Sequence, residues 1–524
     1  MKNKFIVLAT LAIGFASCEP EFENPISESY SAGEANFSSY VAIGNSLTAG
    51  YMDGTVSKGG QVYSYPNLLA QQFALVGGGA FTQPSFEDDV NNLGGLMLGG
   101  VQIGSTRLII DASQGGPEPI AGSTTIEVSN LQKSAYNNMG VPGAKSFHLL
   151  APGYGNVAGV ALGQSNPYFV RHATTPTATV LGDAMTKTPT FFTNWIGNND
   201  VLAYATSGGI GVDQNAAGNT NPATYGPNDI TNANTFASVY STIVNTLTTN
   251  GAKGVVCTIP SVTSIPFFTT VPANPLTATL IGQGNQAAGV AAIGQLNAQL
   301  YGPLKQALTA FGAGDRITLL NPNTANPLLI KDETLTNLSA QLTAAFTPTL
   351  GATTAAFYGN VFGQARQAKF TDRILLTTRS VIGTAPSGVP APLDKFGITY
   401  PLQDQHLLIP SELTAIANAT NAFNASIKAI AASKNLAVAD MNVILNNLVS
   451  GLVVESGQIY TANYFSGTAT ESKVLFSLDG VHPNARGYAV IANEIIKVIN
   501  AKYKSNMPLH MTSSFPGINI LATN

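Results

Sequence analysis

Tyr40-Val41-Ala42-Ile43-Gly44-Asn45-Ser46-Leu47-Thr48-Ala49-Gly50-Tyr51 is the stretch whose reading decides the fold. Tyr40 to Ile43 is a short apolar run closed by a glycine, the signature of a buried strand. Gly44 then permits a sharp bend, and Ser46 follows. Ligands of open α/β sheets sit outside the carboxyl ends of the strands, so a serine here faces a cleft where the next helix starts. Serine is also a favoured helix N-cap, and this stretch alone leaves both roles open.

Three more runs read as strands: Thr190 to Ile196, Gly254 to Pro260 and Leu436 to Asp440. Between the first two lies an amphipathic helix with Phe236, Val239, Tyr240, Ile243, Val244 and Leu247 on one face. Helix alternating with strand predicts an α/β class with a parallel sheet. Tyr65-Pro66-Asn67 opens a further helix, with proline in its first turn. Helices are also expected over Gln286 to Phe311, Ser411 to Ser433 and after Pro483, and a short strand over Ile317 to Leu320. Three regions fit no βα unit and read as insertions, near 76–130, 205–231 and 321–405. A hairpin of Thr106 to Asp111 with Thr124 to Val128 is expected in the first, and a β-piece around Arg373 to Leu376 in the third. Long loops in compact domains tend to be functional.

Composition narrows the function. Of 524 residues 44% are hydrophobic and only 10% charged, and the formal net charge is -4. With no basic cluster, nucleic acid is excluded as the expected partner. No metal cluster or phosphate-binding glycine loop is evident, so no cofactor is expected. Lys2 and Lys4 precede an apolar run, Phe5 to Phe15, and then Ala16-Ser17-Cys18. That run falls short of the ~20 residues needed to span a bilayer and has the layout of a secretory signal. Small residues ahead of Cys18 resemble a bacterial lipobox, which implies lipidation of Cys18 after cleavage. Glu19, Glu21 and Glu23 resemble the acidic tags that send some lipoproteins to the outer surface. The expected organisation is a signal and lipobox over 1–18, a tether over 19–36, a body over 37–502 and a tail over 503–524. Cys257, mid-strand, reads as core.

Three polar stretches accompany Ser46. Asn137 to Ala144, with Gly140, Pro142 and Gly143, marks a tight turn. Gly197-Asn198-Asn199-Asp200 ends a strand in a small residue and then amides. Phe476 to Asn484 places Asp479 three residues before His482, on the loop that feeds a helix. That spacing can set a carboxylate against one imidazole nitrogen and leave the other for a serine proton. A second acid–histidine pair, Asp404 and His406, reads as a surface loop pair.

In this order the four stretches resemble the SGNH (GDSL) hydrolase family of esterases and lipases. The resemblance covers roughly Phe37 to Lys502. It implies Ser46 as nucleophile, Gly143 and Asn199 as oxyanion donors with the Ser46 N–H, and Asp479 and His482 as orienting acid and base. Gly140 competes with Gly143 for its role. The chain departs from the family at Asn45, where an aspartate is usual. The implied fold is a three-layer αβα sandwich with a flavodoxin-like parallel sheet of about five strands. The implied activity is ester hydrolysis through an acyl-enzyme, on an acylated glycan or lipid, in a protein anchored to the outer membrane through Cys18. The alternative is a surface lipoprotein that binds glycan or lipid on the same scaffold with little catalysis.

Overall fold

A computed structural model describes residues 29–113, 116–465 and 473–524. The signal, Cys18 and the first part of the tether lie outside the described residues.

Five short strands form the central sheet: β1, Tyr40–Gly44; β2, Asn138–Gly140; β3, Phe191–Trp195; β4, Lys253–Cys257; and β5, Ala437–Ala439. Their order is β2-β1-β3-β4-β5 and every pairing is parallel. This is the flavodoxin-like arrangement. All five residues of β1 are buried, as expected for a strand covered on both faces.

The pleat divides β1 between two cores. Val41 and Ile43 join Phe192 and Val256 under the helices α3, Ala233–Leu247, and α5, Pro410–Ser433. Tyr40 and Ala42 join Phe191 and Val255 under α1, Tyr65–Ala74, and α7, Ala485–Tyr503. The remaining named helices are α2, Asn199–Thr206; α4, Ser339–Phe362; and α6, Met441–Ser450. Cys257 is wholly buried in the second core, and burial drives its thiol pKa upward, so it is not a reactive nucleophile. Among the described residues no helix is long and apolar enough to cross a membrane.

Several local expectations are corrected. Asn138–Gly140 is the fifth strand rather than part of a turn. It is an edge strand of three residues, too short for alternation to register. The expected hairpin does not form: Leu108–Asp111 pairs with Gly116–Pro119, and Leu96–Leu98 pairs with Val101–Gly104. Ile317 to Leu320 is not a strand. Residues 321–405 are not simply irregular, since α4 lies within them, kinked where Gly351 has φ +76°. This region has its own core, in which Leu342, Phe346 and Phe362 meet Tyr301, Leu304 and Leu308 of the preceding helical stretch. In the tail, Ile520–Leu521 adds a parallel strand beside Leu108–Asp111.

Candidate active site

Each stretch singled out in the sequence lies at the carboxyl edge of the sheet. Gly44 ends β1 in register with Gly140 of β2 and Trp195 of β3. A Cβ on Gly44 would sit 2.1 Å from Thr48 Oγ1 and 2.5 Å from the Trp195 carbonyl oxygen. Glycine is therefore required for close approach, not for an unusual bend. Beyond it a single-turn helix, Ser46–Ala49, begins at Ser46. The Asn45 side chain accepts the Leu47 N–H at 3.1 Å, so the uncharged residue still caps the turn.

The loop before α7 delivers the other two groups. His482 Nε2 lies 2.8 Å from Ser46 Oγ, and its Nδ1 lies 2.9 Å from Asp479 Oδ2. The loop geometry follows from how Asp479 distributes its lone pairs. Oδ1 accepts the backbone N–H groups of Val481 and His482, each at 2.8 Å, and the Ser477 hydroxyl at 3.0 Å. Oδ2 is left to the imidazole and to the Gly54 N–H at 3.2 Å. Burial opposes charge on Asp479, but the imidazole and these donors outweigh it, and its pKa lies below the ordinary carboxylate value. Pairing to a carboxylate at Nδ1 leaves Nε2 as the acceptor facing the serine hydroxyl.

Two further turns stand beside this relay. Gly143 has φ +79°, a conformation that L side chains rarely adopt. Among the described residues, neither its N–H nor that of Ser46 has a hydrogen-bond partner. Asn199 opens α2, and its Nδ2 donates to the Ala144 carbonyl at 3.0 Å. Asp200, wholly buried, accepts both the N–H and the hydroxyl of Ser146. The Gly143 turn and the Asn199 turn are thus tied together. Gly140 plays a different part: its Cβ would fall 2.2 Å from the Ala49 nitrogen, so it packs β2 against the serine's helical turn.

Ser46, Asn199 and His482 line one cavity of about 110 Å³, whose other walls are mostly aliphatic side chains of α6 and α7 and of the loops after β3 and β4. Gly143 is not on its wall. Ser46 is 6% exposed and lies on the wall of this cavity. Among the described residues no group of three or more His, Cys, Asp or Glu is placed to hold a metal.

Sequence reading missed the support for Asp479. Asp53 has φ +53° and its Oδ1 accepts the Leu478 N–H at 2.9 Å, while neighbouring Gly54 donates to Asp479. Burial, reinforced by the Asp479 charge, raises the Asp53 pKa from 3.8 to about 6 against the pull of the Leu478 N–H. The Asp-Gly dipeptide at 53–54 was the available signal, since it marks a turn. The cavity had no comparable signal, because its walls come from segments hundreds of residues apart.

No family model, curated protein or solved structure matches this chain.

Proposed function

We propose that this protein is a serine ester hydrolase of the SGNH type. The observation that carries the reading is the unbroken relay from Ser46 Oγ through His482 to Asp479, with hydrogen bonds of 2.8 and 2.9 Å. Ser46 Oγ attacks the ester carbonyl carbon while His482 Nε2 takes its proton. The tetrahedral oxyanion is stabilised by the N–H groups of Ser46 and Gly143 and by the Asn199 amide. The carbon–oxygen bond to the alcohol then breaks, and His482 returns the proton to the leaving oxygen. Water, deprotonated by His482, attacks the acyl-enzyme and releases the acid, restoring Ser46. Asp479 remains ionised throughout, fixing the ring tautomer and stabilising the imidazolium.

The proposed setting is the cell envelope, with the body held to the outer membrane through lipid on Cys18. Lys2, Lys4, the apolar run to Phe15 and the small residues before Cys18 support it. The substrate is an acyl ester of a lipid or glycan.

Protein lacking residues 1–18, assayed on p-nitrophenyl esters, tests the reading. Hydrolysis abolished by Ser46→Ala is the expected result. Equal rates for parent and variant would overturn it. Loss of membrane-bound protein on Cys18→Ser tests the anchor separately.

A further inference from the structure

The walls of the Ser46 cavity are mostly aliphatic. From α6 they include Met441, Ile444, Leu445 and Leu448, spaced i, i+3, i+4 and i+7. One stripe of that helix therefore faces the cavity over roughly 10 Å, at 1.5 Å per residue. Val490 and Ile491 of α7 and Leu202 of α2 close other sides.

Polar groups gather where the catalytic residues enter. Asn45 Nδ2, Trp195 Nε1 and Asn198 Oδ1 are buried and have no hydrogen-bond partner among the described residues. All three residues line this same cavity and are 1%, 3% and 5% exposed. The polar end of the cavity is the one at Ser46, Asn199 and His482, and the rest of the wall is mostly aliphatic and suits hydrocarbon. An acetyl group would leave most of the aliphatic wall without contact.

Two measures give the length of that hydrocarbon. An extended chain advances roughly 1.2 Å per bond, so ~10 Å of wall accommodates about eight carbons. A water-sized group needs about 10–15 Å³, and the cavity's 110 Å³ then holds roughly seven to eleven groups of that size.

We infer that the Ser46 cavity is an acyl-chain site and that the substrate is an ester of a medium-chain fatty acid, with about eight to ten carbons, rather than an acetyl ester. This rests on the hydrolase reading above, with the acyl group entering the cavity and the alcohol leaving from its mouth.

The test has two arms. In the first, kcat/KM of the body without residues 1–18 is measured on p-nitrophenyl acetate, butyrate, octanoate, decanoate and palmitate, all below their aggregation limits. Burying a methylene gives at most about fourfold. The expected profile rises at least 100-fold from acetate to octanoate and levels off or falls beyond decanoate. Leu448→Phe, which narrows the cavity, should lower the octanoate-to-acetate ratio about tenfold.

The second arm does not depend on turnover. Trp195 is the chain's single tryptophan, so intrinsic fluorescence reports on the cavity wall. Decanoate added to Ser46→Ala protein should change it saturably, and acetate should not. Hydrolysis of acetate at least as fast as octanoate, with no decanoate response, would overturn the acyl site and leave the hydrolase reading standing. A decanoate response in a protein that hydrolyses no ester would show an occupied cavity but remove the hydrolase reading, and the proposed substrate class with it.

Discussion

Two acid–histidine pairs, at 479/482 and 404/406, look alike in the sequence and differ in what the backbone does to them. At Asp479 two main-chain N–H groups occupy Oδ1, which leaves Oδ2 for the imidazole. At His406 the ring itself is consumed by the turn: its Nδ1 accepts the Gln403 N–H at 3.0 Å. That ring is buried against Phe396, with centroids 5.1 Å apart, and burial lowers its pKa. Burial raises the Asp404 pKa, and Glu333 adds to the effect. A neutral ring whose Nδ1 already accepts from the backbone cannot be oriented by a carboxylate at that nitrogen. The pair near the chain end joins a carboxylate to an imidazole whose other nitrogen faces Ser46; the other is the cap of a 3₁₀ turn, Asp404–His406. Spacing proposes such a pair, and lone-pair bookkeeping decides it.

The largest expected effects come from exchanging the fates of the two pairs. Ser46→Ala or His482→Ala should lower kcat by about five to six orders of magnitude, and Asp479→Asn by about 10⁴. Asp404→Asn should change ester turnover less than about twofold, because it touches no atom of the relay. Steady-state kinetics on one chromogenic ester checks all four. A comparable loss from Asp404→Asn would erase the distinction.

Next in size is the proposed oxyanion side. Asn199→Ala should cost about 10²–10³ in kcat, with a smaller change in KM. Because Asn199 also holds the Ala144 carbonyl, Gly143 should lose some of its positioning too. The two glycines sharpen the point. Gly140→Ala meets backbone 2.2 Å away and should destabilise the fold by about 3 kcal/mol. Gly143→Ala has open space, with no atom nearer than 3.9 Å, and only the +79° backbone opposes it. It should cost about 1–2 kcal/mol. Urea titration separates the two.

The smallest effect is a pH dependence that divides Asp53 from its neighbour Asp479. Asp53 is raised from 3.8 to about 6, so the folded protein holds this proton more tightly than the unfolded chain. Its contribution is full below pH 3.8 and declines as pH rises through about 6. Asp479 is lowered, so its contribution is present above the unfolded value and is lost on acidification. Asp53→Asn keeps an acceptor for the Leu478 N–H and removes the titration. Its stability relative to the parent should therefore increase between pH 4 and about 6 and stay level above that. A difference that does not vary with pH would remove Asp53 as the titrating group.

What was legible follows the same physics. Four strands were readable because each is a short stretch rich in apolar or aromatic residues and closed by a turn signal: Tyr40 to Ile43, Thr190 to Ile196, Gly254 to Pro260 and Leu436 to Asp440. Ser46 was readable because it sits on the short turn where such a run stops, and Asp479 and His482 because their spacing of three falls on the loop that feeds a helix. Asn138–Gly140 escaped because a three-residue edge strand carries no pattern. α4 escaped because its alanines, threonines and glycines show no apolar stripe, and Pro348 and Gly351 interrupt it. Asp53 and the cavity escaped because their partners are distant in sequence. Leu478 lies 425 residues from Asp53, and the cavity walls come from five separate stretches between Asn45 and Ile491.

Fluorophosphonate labelling followed by peptide mass spectrometry tests the central claim most directly. A single stoichiometric adduct on Ser46 is expected, formed by the parent and nearly absent from His482→Ala protein. A folded parent that leaves Ser46 unlabelled, or a His482→Ala variant labelled there at the parental rate, would contradict it.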